Sequence, residues 1–492
     1  MRQKCNFGWR GPWCWLNSGV KPRSSASLVF GTSAAVLVLE ILAGRLMAPY
    51  VGISLETFTG IIGTVLAGIA TGSAVGGWAA DTYDPRRLIG PSVLAGGAFT
   101  WLSIPIVTLL GPEIGRGPLA IVALTAMAFF LPSAVLSAIS PLVAKLRLVS
   151  LADTGAVVGG LSAWATMGAL VGTFITGFLL ISAAPTRSIV LGIGALLVVA
   201  GIVASITIGG ARPNGATVVA VALAGLGSTA VAPPCDHETS YFCVRVVEDA
   251  DNASGRSLVL DRLRHAYVDL DDPTHLDVRY IRIFAAVAAS RPGGFDRVLH
   301  VGGGGFSFPR YLRHVDATAY SLVLEIDPDL VEINRSELGL VTDERLEVRT
   351  GDARLALSDL ADNEFDLIVG DAFGSQSVPW HLTTTEFIAE LDRVLTPDGI
   401  YVMNVLDGGD SRFARAELAT LRQHFEHLAA ILPADGIPNR EINQILLASH
   451  QPLPALALAS ADGRALAGDI DEYINGQAPL RDDFAPVDQL LP

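Results

Sequence analysis

Four consecutive glycines, Gly302, Gly303, Gly304 and Gly305, follow the apolar run 298–301, and Glu325 stands at the end of the next apolar run. A glycine turn lets backbone N–H groups approach a ligand with no side chain between them. A carboxylate roughly 20 residues further on, at the tip of the following strand, is placed to accept hydrogen bonds from a pair of ribose hydroxyls. Two more acids end later apolar runs: Asp352 in Gly-Asp-Ala353 and Asp371 in Ile-Val-Gly-Asp-Ala-Phe. Asp352 is suited to accept from an adenine amino group, and Asp371 to face a reaction centre. One such acid would read as a helix cap or a solvated turn. Three in register behind a glycine loop point to a nucleotide site.

These residues need a sheet whose strands all end on one rim. Strands are expected at 297–301, 321–326, 346–350, 365–369 and 399–405, with a late one at 444–448, and helices between them at 329–338 and 385–395. Such alternation predicts a doubly wound α/β domain with a mostly parallel sheet, in which ligands bind beyond the carboxyl ends of the strands. Ahead of it, 241–247 and 257–260 read as a hairpin across the polar loop 248–255. The soluble part is therefore divided into a small β-hairpin region with a first helix, 233–290, and an α/β domain, 291–492.

The other half has a different composition. Half of the 492 residues are hydrophobic, and the mean hydropathy is +0.45, too apolar for an ordinary soluble enzyme. Charge-poor runs near the ~20 residues that cross a bilayer lie at 28–43, 57–79, 88–110, 119–142, 156–181, 188–208 and 216–231. Residues 26–232 thus read as a multi-pass helical domain of about seven spans in the lipid bilayer of the cell (inner or plasma) membrane. Basic residues in 1–25, with Arg86, Arg87, Lys145 and Arg147, mark those segments as cytoplasmic. No apolar core ending in a small-residue cleavage site precedes the first span. Seven spans from an inside N-terminus put residue 233 onward outside, and one miscounted span reverses this.

Residues 1–232 hold 13 Lys+Arg against 6 Asp+Glu, and residues 233–492 hold 21 against 43. So acidic a soluble half argues against nucleic acid as a partner. It suits a polycationic substrate, or a merely solvated surface. Cys235 and Cys243, eight apart, either close a small disulfide loop outside the cytoplasm or are two unrelated thiols. Gly68, Gly72 and Gly76 fall on one helix face and favour close helix packing. Glu40 and Arg45 near the end of the first span read as a polar site facing the bundle, or as a packing contact and a snorkelling cation.

The motifs of the soluble half resemble those of the spermidine synthase (polyamine aminopropyltransferase) family, which has an adenosylmethionine-dependent, class I methyltransferase-type Rossmann-like fold. Glu-Thr-Ser-Tyr241-Phe is similar to that family's opening strand, and Val-Leu-Asp261 to its hairpin. The glycine loop, Glu325-Ile-Asp327-Pro and Gly-Asp352-Ala353 follow in the family's order. Apolar spans ahead of this domain resemble the membrane-fused branch. The resemblance implies aminopropyl transfer from decarboxylated S-adenosylmethionine (or use of S-adenosylmethionine itself) to a small amine such as putrescine. It further implies a nucleoside held by Gly302–Gly305, Glu325, Asp327, Asp352 and Ala353, Asp371 as catalytic base, Tyr241 against the substrate, no metal, and a homodimer.

The pattern departs from the family in three places. Asp371-Ala-Phe-Gly374 lacks a second aspartate, the position after the hairpin lies in the Arg262–His265 region without the family's glutamine, and Tyr280-Ile-Arg282 replaces Tyr-His-Glu. The missing groups are those that the resemblance assigns to the donor's aminopropyl tail and the acceptor's distal ammonium. Trp380, His381 and Thr384 are candidates for a substitute acceptor wall. Two other functions fit the same residues: methyl transfer from S-adenosylmethionine, and a non-enzymatic transporter or sensor with a nucleoside- or polyamine-binding domain.

Overall fold

The computed structural model describes residues 22–115, 117–148, 150–210, 212–374, 378–434, 436–437, 442–455 and 462–491. Most of the N-terminal segment 1–25, and residues 375–377 in the stretch after Asp371, lie outside the described residues. The chain divides into two compact units, 1–234 and 235–492.

Among the described residues of the first unit six helices are long and apolar enough to cross a membrane, including Leu55–Thr82, Pro85–Leu110 and Pro118–Arg147. The expected seventh span forms as a helix, Gly215–Ala230, but its 16 residues fall short of the ~20 that cross a bilayer. Six of the seven expected spans thus reach that length among the described residues, and the outside placement of the second unit loses the support it drew from a count of seven. Glycines set how closely these helices meet. A Cβ on Gly72 would stand 1.9 Å from the Ala134 carbonyl oxygen, and one on Gly76 would stand 2.7 Å from the Ala138 backbone. Close contact without side chains is how apolar helices gain dispersion energy where burial from water supplies none. The Arg45 side chain reaches across to Thr186, whose hydroxyl accepts from Nε at 3.1 Å.

The second unit holds two sheets. The smaller is an antiparallel meander of β1 (His237–Glu238), β2 (Cys243–Glu248), β3 (Gly255–Leu260) and β4 (Leu263–Asp269). Its β2–β3 pair is the expected hairpin, and β4 is an additional strand. Cys235 and Cys243 are disulfide-bonded across the β1–β2 hairpin, with Cα atoms 5.3 Å apart. The open question of that pair resolves as a bridge.

The larger sheet has eight strands. They are β5 (Arg297–Val301), β6 (Tyr320–Glu325), β7 (Leu346–Thr350), β8 (Phe365–Gly370), β9 (Leu395–Asp407), β10 (His427–Leu432), β11 (Ile442–Ser449) and β12 (Arg464–Leu466). Spatial order is β12-β10-β11-β9-β8-β5-β6-β7. The five strands from β9 to β7 are parallel, and β11, β10 and β12 add antiparallel. The sheet is mostly parallel, as expected, with an antiparallel addition where the chain returns through β10 and β11 as a hairpin after β9. Side chains such as Leu299, Leu322, Ile368 and Val402 are fully buried on its two faces, which is why the strands read as continuous apolar runs. Strand order reverses between β5 and β8. At that switch point the loops leaving the two strands diverge and open a crevice.

Candidate functional site

Everything at the crevice depends on how the turn after β5 fits against the end of β8. Gly302 sits at φ +97°, and a Cβ there would stand 2.4 Å from the Asp371 carbonyl oxygen. No residue with a side chain satisfies both the conformation and the space. Gly302 N donates to Leu324 O (2.9 Å) and Asp371 N to Val301 O (2.8 Å), so both loops remain tied to the sheet. The turn ends at Phe306, fully buried at φ +53°, before the helix Ser307–Val315.

Glu325, at the tip of β6, is bound back to this turn. Its Oε2 accepts from Gly303 N at 2.8 Å and Gly304 N at 3.2 Å, and its Oε1 accepts from Asp327 N at 3.0 Å. Burial raises its pKa, and these three amides oppose the rise. The loop amides expected to meet a ligand directly are therefore partly spent on Glu325. Glu325 also lines the cleft beside this turn.

Asp327, grouped with Glu325 from the motif, is fully buried and caps the helix Pro328–Glu337 through Asp329 N and Leu330 N. It does not line the cleft. Asp352 also caps a helix, through Arg354 N at 2.9 Å, yet it remains on the cleft wall with Ala353. Its Oδ2 stands 3.2 Å from His381 Nε2.

The cleft runs between Glu325 and Asp352 and is lined by Phe242, Phe373 and Leu382. His381 belongs to this cleft rather than to a separate acceptor wall. Thr384 caps the helix Thr385–Val394 and donates to Asp482 Oδ1 at 2.7 Å, and Trp380 is half exposed. The substitute wall proposed for these three does not form as a unit. Tyr241 is 42% exposed, and its neighbour Phe242 is the side chain that enters the cleft. Tyr241 remains close enough for burial and the charges of Asp327, Asp352 and Glu325 to raise its pKa.

Asp371 stands where this cleft meets a second chamber behind the glycine loop; Gly302, Gly304, His265 and Phe373 are likewise common to both. Asn404, on β9, donates its Nδ2 to Asp371 Oδ1 at 2.9 Å, and Asn443 Nδ2 donates to Asn404 Oδ1 at 3.1 Å. Burial pushes the Asp371 carboxyl up to about 7, opposed by hydrogen bonds from Asn404 and Tyr280. A carboxyl raised into that range can exchange a proton near neutral pH. Asn404 was not singled out in the sequence, although a polar residue in the apolar strand Tyr-Val-Met-Asn-Val was the available signal. His300, likewise missed, is a buried imidazole on the chamber wall, lowered to about 3 by burial. Among the described residues, no group of three or more His, Cys, Asp or Glu side chains is arranged to hold a metal ion.

Residues 278–434, which hold the glycine turn, Glu325, Asp352, Asp371 and Asn404, match the family model described as spermine/spermidine synthase domain. The second unit carries a spermidine synthase domain. The polyamine aminopropyltransferase of Vibrio vulnificus is 28% identical over 196 residues, covering 39% of this chain and 63% of the relative. That of Chromobacterium violaceum is 27% identical over 190 residues, 38% of this chain and 71% of the relative. The chain thus spans a little under two thirds of the first relative's length. Among solved structures, a probable spermidine synthase from Corynebacterium glutamicum is similar at 24% identity and a TM-score of 0.47, covering 52% of this chain and 99% of that one. The helical unit lies outside the matched residues.

Proposed function

We propose that this protein is a membrane-embedded transferase that moves an aminopropyl group from decarboxylated S-adenosylmethionine to the nitrogen of a small amine. The observation that carries this reading is Asp371 on the shared wall of two chambers, one suited to a nucleoside and the other to an amine. Residues of the first chamber, Glu325 and Asp352, offer carboxylate acceptors to ribose hydroxyls and an adenine amino group. The donor, when bound, supplies a sulfonium whose adjacent carbon is already electrophilic. What the chain must supply is alignment and a proton acceptor.

Asp371, held by Asn404, accepts the proton that the amine gives up as its nitrogen attacks. The new C–N bond forms as the C–S bond breaks, and the bonding pair returns to sulfur as a neutral thioether. Six apolar helices of membrane-spanning length support a location in the cell membrane.

The test is incubation of the purified full-length protein with decarboxylated S-adenosylmethionine and putrescine, the acceptor that the polyamine aminopropyltransferase relatives suggest. Release of 5′-methylthioadenosine together with an aminopropylated amine is the expected result. Turnover of intact S-adenosylmethionine to a methylated product, with none from the decarboxylated form, would sink the reading.

A further inference from the structure

Part of the wall of the nucleoside cleft comes from two separate loops: Gly351, Asp352 and Ala353 after β7, and Pro379, His381 and Leu382 after β8. Strands β5 and β6 lie between β7 and β8 in the sheet, so the ladder does not set the distance between these loops. The segment 480–491 bridges them instead. Its Leu480 and Val487 are buried in the same apolar cluster as Ala353 and Leu382. Leu480 O accepts from Thr385 N at 2.9 Å, and Asp482 N donates to Glu386 Oε2 at 3.0 Å. Between those anchors Asp482 meets Arg354 of the helix Ala353–Leu357. Arg354 Nη1 donates to Asp482 Oδ1 at 2.8 Å, and Nη2 donates to Oδ2 at 2.6 Å. The same Nη1 donates to His381 O at 2.9 Å, and the Thr384 hydroxyl donates to Asp482 Oδ1 at 2.7 Å.

Resting on the transferase reading of this cleft, we infer that Asp482 is a positioning residue: through Arg354 it fixes the spacing of the two loops, and with it the affinity for the adenosine part of the donor. Arg354 is the buckle. Its guanidinium holds the main chain of His381 on one side and the Asp482 carboxylate on the other, while its own backbone follows directly on Asp352 and Ala353. His381 is thereby kept with its Nε2 3.2 Å from Asp352 Oδ2, so the carboxylate offered to adenine keeps one direction. A partly exposed ion pair is ordinarily weak. This one gains from a two-pronged guanidinium–carboxylate fit and a shared hydroxyl, a geometry that a lysine does not reproduce. The Arg354 guanidinium also holds the Asp482 carboxyl below the usual carboxylate range, so the clamp is charged at neutral pH. Without the clamp the loops sample wider spacings, and ligand binding has to supply the ordering that the segment otherwise supplies in advance.

The experiment uses the full-length protein in detergent at pH 8, as wild type, Asp482→Ala, Arg354→Met and the double variant. Calorimetry with 5′-methylthioadenosine gives the nucleoside Kd, and kinetics with decarboxylated S-adenosylmethionine and putrescine give kcat and each KM. The expected result for each single variant is a rise of about tenfold in nucleoside Kd and donor KM, the scale of a lost hydrogen bond to a charge. The kcat and the amine KM should stay within about twofold. The double variant should lose no more than either single one, because one clamp is broken in all three. Unchanged Kd, losses that add, or a fall in kcat and Tm without a change in Kd overturns the inference. If wild type binds the nucleoside but transfers nothing, the transferase reading fails separately and the Kd comparison decides the clamp. If wild type binds no nucleoside, that reading fails too, and deuterium exchange decides the clamp. Faster exchange of the 378–385 amides in Asp482→Ala, with β5 and β8 still protected, sustains it, and unchanged exchange there overturns it. Should Asp482→Ala misfold, Arg354→Lys, which keeps the charge and loses the second prong, gives the same comparison.

Discussion

Asn404 donates its side-chain amide to Asp371 Oδ1 at 2.9 Å, and its own carbonyl is held by Asn443 at 3.1 Å. The pair crosses from the end of β8 to β9 and on to β11, so three strands fix the direction in which one carboxylate points. It also acts on charge: burial drives the Asp371 carboxyl upward, and the Asn404 N–H, with Tyr280, offsets part of that rise.

Activity is therefore expected to increase with pH through about 7, where Asp371 loses its proton. Asp371→Asn keeps the shape and removes the base. Turnover should fall by about 10²–10⁴ while donor affinity measured by calorimetry changes little. The effect on stability has the opposite sign. A folded pKa raised above the unfolded value means that this group's stabilisation is full below about 3.9 and is lost as pH rises through about 7. Asp371→Asn should raise Tm, and more at pH 8 than at pH 5. A Tm gain independent of pH would contradict the raised pKa.

Asn404→Leu removes one of the two hydrogen bonds that favour the ionised form. The acidic limb of the pH–rate profile should then move upward, by about one pH unit for a hydrogen bond to a charge worth ~1.5 kcal/mol. Activity at pH 9 should be largely restored. Loss at every pH would assign Asn404 to folding alone.

Glu325 is the acceptor for three backbone amides, at Gly303, Gly304 and Asp327. Glu325→Ala leaves all three without their partner, at about 1–3 kcal/mol for each that stays buried. Both Tm and donor affinity should fall steeply. Glu325→Gln keeps one acceptor oxygen and should retain more of both, and equal losses in the two variants would argue against this account of the loop.

The Cys235–Cys243 bridge closes a short ring around the turn that carries Thr239 and Phe242, and Phe242 lines the nucleoside cleft. Cys235→Ser with Cys243→Ser is expected to lower stability by about 2–3 kcal/mol, the scale of a small closed loop. Donor affinity should weaken with it, because the turn no longer holds Phe242 over the cleft. Thermal denaturation and calorimetry with and without a reductant measure both effects.

The sheet was legible wherever strands are buried on both faces. The runs ending at Val301, Glu325 and Gly370 are apolar without alternation, and each stops at a glycine or an acid, whereas the edge strand Leu346–Thr350 alternates. β4 and β12 were not legible, because antiparallel edge and meander strands carry weaker patterns; β10 was missed although His427–Leu432 is as apolar and buried as the strands that were read. The shortfall at Gly215–Ala230 has a similar cause: composition marks an apolar helix, but its length depends on where the caps fall, at Asn214 and Val231.

For the site, residue types and spacing were enough to single out Gly302–Gly305, Glu325, Asp352 and Asp371 as candidates, which the fold gathers at one crevice, since local chemistry at a strand end is written locally. They were not enough to separate Asp327, a buried helix cap, from Glu325 two positions earlier, because both are acids after the same strand. Nor did they reveal Asn404, 33 residues from Asp371 in the chain, or that His381 stands beside Asp352. Those are relations between segments brought together by strand order, and strand order is settled by packing across the whole sheet. A linear sequence determines which groups can accept a proton or a ribose. The tertiary structure alone decides which neighbours hold them, how far burial moves their charge, and which of two chambers each one faces.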